Sequence, residues 1–228
     1  MDKLALIVPY RNRQEHLKEF IPYMVNYFKT TQKNVDLTIY VIEQGDDKLF
    51  NRGKLLNVGY DLAKGDCDYI CFHDVDYIPV DADYSKPELP TRLIWKGLSK
   101  KEDYVWFFGA VVLFPKDIFV QVNGFSNGYQ GWGFEDTDLH TRLVSCGISI
   151  ERRDQEFKPL RHAPSEVDIN GNLLPEVFSN KEKFLQKQKS KNKTNGDGLT
   201  TLEYKILYGP DPYALIKEYP VKVYLVAI

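Results

Sequence analysis

The amino-acid sequence predicts one α/β domain in which a Rossmann-like sheet is flanked by helices. Short apolar runs of strand length alternate with longer segments whose apolar residues recur at helical spacing. Such alternation is typical of parallel strands joined by right-handed crossover helices. Polar residues follow each of the first three predicted strands, and the 228-residue chain shows no internal repeat or linker. We therefore expect residues 1–228 to form a single domain with a ligand site at one edge of its sheet.

The first half of the chain contains three predicted strands and two predicted helices. The strands lie at residues 4–8, 37–42 and 69–72, where apolar residues run continuously, as in strands buried on both faces. The apolar stripe of the first helix comprises Leu17, Phe20, Ile21, Met24, Val25 and Phe28. Pro22 is expected to bend that helix or to mark its start. Asn51 is expected to cap the second helix.

Polar side chains follow all three strands at the same predicted edge of the sheet. They are Arg11 and Arg13 after the first strand, Glu43 and Gln44 after the second, and Asp74 and Asp76 after the third. In open sheets of this kind, ligands bind beyond the carboxyl ends of the parallel strands. This edge is therefore the predicted ligand site.

The middle of the chain is less regular. Residues 81–90 are rich in proline and aspartate and are predicted to form a loop, whereas residues 104–114 are β-prone. A helix is predicted at residues 136–146. Glu135 and Asp136 should lie in its first turn, where carboxylates are favoured.

Polar residues prevail from residue 163 to residue 198. The lysine-rich stretch 181–193 is predicted to form a solvated helix. Composition alone favours a surface excursion over a mobile lid for the whole segment. Two closing strands are predicted after it, at residues 202–207 and 221–228.

Composition excludes several classes of protein. With 43% hydrophobic residues the chain can build a core, and a formal net charge of −2 argues against a nucleic-acid scaffold. No apolar run reaches the roughly 18 residues that span a bilayer, and the N-terminus is typical of a strand rather than a signal peptide. The three cysteines, Cys67, Cys71 and Cys146, lack the spacing of a metal finger, and a reduced chain accounts for them most simply. We therefore expect a cytoplasmic protein without a membrane span.

The most informative segment spans residues 131–138, where Trp132 is flanked by glycines and followed closely by three acids. An indole ring can serve as a platform for a sugar, and a neighbouring carboxylate can act as a base. A hydrolase with paired carboxylates at Glu135 and Asp138 is an alternative. Their spacing places both on one face of a helix instead of on opposite sides of a sugar bond, so this alternative is set aside.

Asp74, Val75 and Asp76 form an Asp-x-Asp cluster directly after the third strand. Alternate residues of an extended segment face the same side, so both carboxylates are expected to enter one cleft. Carboxylate oxygens suit Mg²⁺ or Mn²⁺, which would bridge the phosphates of a nucleoside diphosphate. A solvated turn is the structural alternative. His162, which lies near two prolines, is either a structural residue or a further ligand that would favour Mn²⁺.

Three arginines are candidate partners of that diphosphate. A guanidinium group binds phosphate through two hydrogen bonds. Arg11 and Arg13 follow a strand, and Arg52 opens a helix, where anions are attracted. Surface arginines without a ligand are the alternative for each.

These segments together resemble the β-1,4-galactosyltransferase family, the inverting glycosyltransferases of the GT-A fold. The match covers most of residues 4–162 and keeps the family's order of motifs. The matching stretches are residues 8–17, 39–44, 50–59, 74–76, 108–110, 123–125, 131–136 and 161–162. The resemblance implies a mixed sheet and the transfer of galactose or GalNAc from a UDP-sugar to a saccharide acceptor, with inversion at the anomeric carbon.

The resemblance also implies roles for the matching residues. Contacts with the UDP-sugar would come from Pro9, Tyr10, Arg11, Arg13, Phe50, Arg52, Asp74, Val75, Asp76 and Gly109. Asp76 and His162 would bind Mn²⁺, with Mg²⁺ as an alternative. Trp132 would cover both sugars, Glu135 would belong to the catalytic set, and Asp136 would take the proton of the acceptor hydroxyl. Residues 163–198 would then form a lid that closes on donor and metal.

The sequence departs from the family pattern at positions that bear on the reaction. Pro159 stands where animal members have a metal-binding Met, which leaves the metal one protein ligand fewer. Thr137 replaces an acid that contacts the acceptor, and Phe107 replaces a common Tyr of the donor pocket. The absence of the animal members' Golgi anchor indicates a soluble bacterial or viral member. A catalytically silent module that binds sugar nucleotides or glycans is the alternative function; Pro159 and Thr137 support it, whereas the retained acids oppose it.

Overall fold

Strands and helices alternate through the first half of the chain, as the apolar pattern predicts. A computed structural model describes residues 1–94, 108–153, 155–162, 166–189, 196–212 and 220–228. The first elements are β1 (Asp2–Tyr10), α1 (Gln14–Thr31), β2 (Val35–Gln44), α2 (Arg52–Ala63) and β3 (Tyr69–His73). Each predicted strand and helix of this half is therefore confirmed, and the strands extend by up to two residues beyond the predicted ends.

The later elements complete the sheet and add helices to it. They are β4 (Tyr77–Asp81), β5 (Thr91–Arg92), β6 (Val111–Pro115), α3 (Lys116–Gln121), α4 (Glu135–Ser145), β7 (Glu151–Arg152), β8 (Glu156–Pro159), α5 (Pro175–Lys189), β9 (Lys205–Pro212) and β10 (Val221–Ala227). Within the described residues, eight of the strands form one sheet in the order β7-β5-β6-β3-β1-β2-β10-β9, and β4 pairs with β8 in a second sheet. The large sheet is mixed, because β1 is parallel to both β2 and β3 whereas β6 is antiparallel to β3.

The strand register brings the carboxyl ends of the central strands together. Tyr10, the last residue of β1, lies opposite Glu43 of β2, and β3 runs parallel on the other side of β1. The loops that follow these strands therefore meet at one edge, as the sequence predicts.

Apolar residues cover both faces of the sheet. Helix α1 packs Phe20, Ile21 and Met24 on one face, and these side chains are almost fully buried. Helix α2 packs on the other face, where Leu55 and Leu56 are equally buried. Burial on both faces explains the continuous apolar runs of the strands.

The structure decides between the alternatives for Pro22 and differs from the prediction in two later segments. Helix α1 begins at Gln14 and continues through Pro22, so the proline does not mark its start. Residues 202–204 precede β9, because Leu199–Thr201 form a turn of 3-10 helix before that strand. Of the β-prone stretch 104–114, residues 104–107 lie outside the described residues, and a strand is present only from Val111.

Within the described part of the polar segment after residue 162, the main element is a surface helix. Helix α5 (Pro175–Lys189) has an exposed outer face, so the predicted solvated helix is confirmed over residues 181–189, while residues 190–193 lie outside the described residues. None of the helices within the described ranges is both long and apolar enough to cross a membrane. The cysteines are free thiols, with Cys67 and Cys71 buried and Cys146 exposed.

Candidate active site

The acidic cluster at residues 74–76 lies in the turn between β3 and β4. The prediction of an extended segment is therefore wrong at this point, and a turn orients the two carboxylates instead. Backbone hydrogen bonds hold the turn on both sides: Asp74 N donates to Ala110 O over 3.0 Å, and Leu160 N donates to Asp76 O over 2.7 Å. Val75 is buried in the core, so only its backbone is placed to meet a ligand.

Asp76 and His162 meet in this turn. His162 Nε2 lies 2.8 Å from Asp76 Oδ2, and the side chains are 29% and 19% exposed. The second carboxylate oxygen of Asp76, Oδ1, is buried and makes no hydrogen bond within the described part of the chain. An unpaired buried oxygen beside an imidazole is an arrangement that suits two ligands of one metal ion.

Arg13 contacts the other nitrogen of the same imidazole. Arg13 Nη2 lies 3.3 Å from His162 Nδ1. Because a guanidinium only donates, Nδ1 accepts, and Nε2 then carries the proton that faces Asp76. A metal ion on Nε2 would require this proton to leave that nitrogen.

The residues present fit a divalent cation that takes two ligands from the protein. A carboxylate and an imidazole form a mixed oxygen and nitrogen set, which suits Mn²⁺ better than Mg²⁺. No group of three or more His, Cys, Asp or Glu side chains is arranged to hold a metal within the described residues. Pro159 pairs with Tyr77 between β8 and β4 and offers no side-chain ligand, so diphosphate oxygens and water would complete the shell.

Arg52 joins the acidic turn to helix α4. Its Nε donates to Asp74 Oδ1 over 2.7 Å, and its Nη1 lies 3.6 Å from Glu135 Oε1. Nη1 is buried and makes no hydrogen bond within the described residues. Burial alone would lower the pKa of Arg52, but Asp74 and Glu135 raise it above its ordinary value. The guanidinium therefore stays charged and keeps a donor for an anionic ligand.

Three carboxyl groups around Arg52 have raised pKa values. Burial raises the pKa of Asp74 to about 6 and that of Glu135 to about 7, and the neighbouring acids add to both shifts. Burial also raises the pKa of Asp136, although Arg52 and hydrogen bonds from Thr137 oppose the shift. Carboxyl groups tuned toward neutrality in a cleft are typical of sites for proton transfer.

Asp136 lies in the first turn of α4, as predicted. Its Oδ1 accepts hydrogen bonds from Thr137 N over 2.7 Å and from Thr137 Oγ1 over 3.3 Å. Its Oδ2 accepts no such bond from the described residues, which leaves this oxygen for a proton donor in the cleft.

The Trp132 loop has a backbone that requires its glycines. Gly131 and Gly133 have φ values of 73° and 97°, and Phe134, which precedes α4, has φ 75°. Gly131 N donates to Phe50 O over 2.8 Å, which ties the loop to the segment before α2. Trp132 is 46% exposed, so its ring is available at the surface of the cleft, as expected of a sugar platform.

Helix α5 supports this loop, a role that the sequence does not indicate. The buried side chain of Asn180 donates to Gln130 O over 2.9 Å and to Trp132 O over 3.1 Å. Phe184 of α5 packs against Phe134. The composition of this helix predicts only a polar surface. The contacts in the folded protein show that one face of the helix holds the Trp132 loop. Residues 163–165 and 190–195 lie outside the described residues, and lid movement stays a prediction.

Asp138 is a structural residue, which agrees with setting the hydrolase alternative aside. It is buried, and its Oδ2 accepts from Arg142 Nε over 2.8 Å. Tyr129 and Lys187 flank its other oxygen. The group thus points into the protein and away from the cleft.

Most of the remaining predicted nucleotide contacts lie around the β1–α1 loop. Arg11 Nη1 donates to Lys48 O over 2.6 Å, and its guanidinium covers the ring of Phe50. Pro9 and Tyr10 are buried, and Tyr10 lines a cavity of about 500 Å³ between α1, β2 and β10. Gly109 lies just before β6, beside Ala110, the acceptor of the Asp74 amide.

The strand order, with an acidic turn after β3, defines a GT-A-like α/β fold. Two family models match the chain: the N-terminal region of glycosyl transferase group 7 over residues 1–85, and the N-terminal domain of galactosyltransferase over residues 93–165. β-1,4-Galactosyltransferase 7 of Drosophila melanogaster is 32% identical over 225 residues, which cover 97% of this chain and 68% of that protein. The chain belongs to the β-1,4-galactosyltransferase family.

Mammalian relatives and solved structures agree with this assignment. β-1,4-Galactosyltransferase 1 of Mus musculus and of Homo sapiens are each 38% identical, over 90% of this chain and 51% of their own length. The chain thus spans about half the length of these relatives. The crystal structure of the catalytic domain of Drosophila β-1,4-galactosyltransferase 7 with xylobiose superposes with a TM-score of 0.82 at 28% identity, covering 100% of this chain and 94% of that one. A mutant of the same enzyme, with manganese, UDP-Gal and xylobiose bound, superposes equally well.

Proposed function

We propose that this protein is a metal-dependent, inverting glycosyltransferase that moves galactose from UDP-galactose to a hydroxyl of a saccharide acceptor and forms a β-linkage. The observation that carries the proposal is the meeting of Asp76 and His162 at 2.8 Å beside the Arg52 cluster. A pure binding module needs no base, yet the cleft also presents Asp136, whose pKa is raised by burial.

The protein's arginines would hold the diphosphate of the donor. Arg52 keeps one buried donor without a partner among the described residues, and Arg11 and Arg13 lie on the neighbouring loop. The half-buried ring of Phe50, whose face is covered by Arg11, provides a surface on which a uracil base can stack. These groups together bind the part of the donor that leaves.

The metal ion would be held by Asp76, by His162 and by diphosphate oxygens. When bound, Mn²⁺ neutralises the charge that develops on the diphosphate. Support for manganese comes from the carboxylate and imidazole pair and from the Drosophila relative, whose structure contains manganese and UDP-Gal. Mg²⁺ is the second candidate, since one of the two ligands is a carboxylate.

The transfer is a single displacement. The acceptor oxygen forms a bond with the anomeric carbon, while the bond from that carbon to the diphosphate oxygen breaks and UDP leaves. Asp136 takes the proton of the acceptor hydroxyl. Attack from the face opposite the leaving group inverts the configuration, and Trp132 covers the sugars during the step.

The choice of sugars is supported by the relatives. UDP-Gal and xylobiose occupy the Drosophila enzyme, so UDP-galactose is the proposed donor and a xylose-ended saccharide is the first acceptor to test. UDP-GalNAc remains the second candidate donor. Phe107 replaces a common Tyr of the donor pocket and so bears on the choice between the two donors, but it lies outside the described residues. The soluble, cytoplasmic, bacterial or viral character expected from the sequence stays a prediction.

A sugar-nucleotide panel tests the proposal. UDP release is measured with UDP-galactose, UDP-GalNAc and UDP-glucose, each with Mn²⁺ and with or without xylobiose or an N-acetylglucosamine glycoside. We expect release that needs UDP-galactose, Mn²⁺ and an acceptor together. Binding without turnover under all conditions would support the silent module, and release that does not depend on an acceptor would point to hydrolysis.

A further inference from the structure

A fully buried histidine lies immediately before the acidic turn. His73 is the last residue of β3 and has no solvent exposure. Its Nδ1 lies 2.9 Å from the backbone oxygen of Asp74, and its Nε2 lies 2.9 Å from the hydroxyl of Tyr84. The rings of His73 and Tyr84 are stacked, with an angle of 11° between their planes, and Phe20 packs edge-on to the imidazole.

The partners define the protonation of this imidazole. A carbonyl oxygen only accepts, so Nδ1 carries a proton and donates to Asp74 O. Burial lowers the pKa of His73 to about 4, and the neutral ring therefore accepts the Tyr84 proton at Nε2. The carbonyl of Asp74 thus selects the tautomer, and the hydroxyl of Tyr84 holds the ring of that tautomer in place at Nε2.

Asp74 O is the first backbone oxygen of the turn that carries both candidate donor and metal contacts. The same oxygen accepts a weaker bond from Tyr77 N at 3.4 Å. If the imidazole bond is lost, this long hydrogen bond is the only one that the described residues still donate to the Asp74 carbonyl. The peptide between Asp74 and Val75 then has freedom to rotate, and such a rotation moves the Asp76 carboxylate.

We propose that His73 and Tyr84 form a relay of positioning residues that fixes the peptide after Asp74 and so places Asp76 for the metal ion of the bound nucleotide. Neither side chain touches the ligand in this account. The relay acts through the carbonyl of Asp74. We therefore expect its disruption to lower the affinity for the metal ion even when no turnover takes place. It rests on the proposed function only for the identity of the nucleotide.

Tyr69 offers a matched control for Tyr84. Both tyrosines are fully buried in the same core cluster, and Tyr69 Oη donates to Tyr84 O over 2.7 Å. Loss of either hydroxyl removes one buried hydrogen bond of similar length. Only the loss of the Tyr84 hydroxyl removes a hydrogen bond to the imidazole.

The experiment measures Mn²⁺ binding by electron paramagnetic resonance of the free ion, with UDP present and no acceptor. We expect Tyr84→Phe to weaken Mn²⁺ binding by about five- to tenfold, the effect of losing a buried hydrogen bond. Tyr69→Phe should leave the affinity within about twofold, even if both variants lose similar thermal stability. In turnover assays Tyr84→Phe should raise the half-saturating Mn²⁺ concentration and leave kcat at saturating Mn²⁺ close to that of the unmodified protein.

Variants at His73 give a second, independent measurement. His73→Asn places an amide donor near the position of Nδ1 and should restore most of the affinity, whereas His73→Leu fills the space without a donor and should not. Equal weakening by Tyr84→Phe and Tyr69→Phe would overturn the relay, as would unchanged binding in Tyr84→Phe. A failure of galactosyl transfer with these affinity differences intact would contradict the proposed function and leave the relay standing.

Discussion

His162 Nε2 lies 2.8 Å from Asp76 Oδ2 at the carboxyl edge of the sheet. Pairing of β4 with β8 brings these residues together, because the backbone of Leu160 bonds to that of Asp76 just before the chain reaches His162. The pair therefore depends on a contact between strands that are far apart in sequence. The two-stranded sheet of β4 and β8 lies next to the proposed metal site.

Removal of either ligand should weaken metal binding. We expect Asp76→Asn and His162→Ala each to lower the affinity for Mn²⁺, in the presence of UDP, by at least about tenfold. The protein is proposed to supply only these two ligands, so the loss of one leaves the metal with a single protein ligand. Titration calorimetry measures the effect. Asp81→Asn, at the exposed end of β4, is the control and should bind as the unmodified protein does. Full activity after rigorous metal removal would contradict both assignments.

Replacement of the base should separate chemistry from binding. Asp136→Asn is expected to reduce kcat by about 10²–10⁴-fold while the dissociation constant of UDP-galactose stays nearly constant. Asp117→Asn changes another acid in the first turn of a helix, away from the cleft, and should have no effect on either quantity. Near-normal turnover in Asp136→Asn would assign the base to another group.

The hydroxyl of Thr137 should set the pH at which Asp136 is active. Its hydrogen bond to Oδ1 favours the carboxylate form and so lowers the pKa of the base. Thr137→Val should raise that pKa, and the acid limb of the kcat/KM profile should move to higher pH by less than about one unit, since the backbone bond remains. Thr137→Ser should restore the profile, and Thr141→Val, one helical turn away, should not shift it.

Glu135 should make the protein less stable as pH rises. Burial raises its pKa from 4.5 to about 7, so the folded state binds the proton more tightly than the unfolded state. The contribution of Glu135 to the free energy of unfolding is then complete below about pH 4.5 and is lost as pH rises to about 7. Glu135→Gln should remove this loss and gain on the order of 2 kcal/mol at pH 8 relative to pH 5. Thermal unfolding across this range measures it; Glu88→Gln, which is exposed, should keep the original slope.

Gly131→Ala should affect the reaction as well as stability. The added methyl group would overlap Cγ of Glu176 in α5, and the positive φ already disfavours alanine by roughly 1–2 kcal/mol. Displacement of the Trp132 loop should raise KM for the acceptor several-fold. Gly147→Ala is a close control, because Gly147 has φ 69° and open space around it. It should lose stability alone; equal acceptor KM values in the two variants would contradict the coupling of α5 to the loop.

The elements that depend on local patterning could be predicted from the sequence. Continuous apolar runs marked β1, β2 and β3, and the Asn51 cap of α2 is present, with its side chain accepting from Lys54 N. The meeting of the polar residues at one edge followed from the parallel arrangement alone. These features arise from residues close in sequence or from a general rule of sheet topology.

The features that depend on tertiary contacts could not be predicted. Nothing local shows that Asn180 holds the Trp132 loop or that Tyr84 bonds to His73, because both pairs join segments that the sequence leaves unrelated. A turn at residues 74–76 was only the alternative to an extended segment, since the acids directly follow a predicted strand. The pairing of β4 with β8, beside this turn, is likewise a long-range contact.

The anomeric configuration of the product tests the central claim most directly. UDP-α-galactose, Mn²⁺ and a xylose-ended acceptor are combined with the protein, and proton NMR follows the anomeric signal of the new sugar as it forms. A single displacement with Asp136 as the base predicts a β-galactoside and an equal amount of UDP. An α-galactoside, or free galactose without a glycoside, would contradict the account.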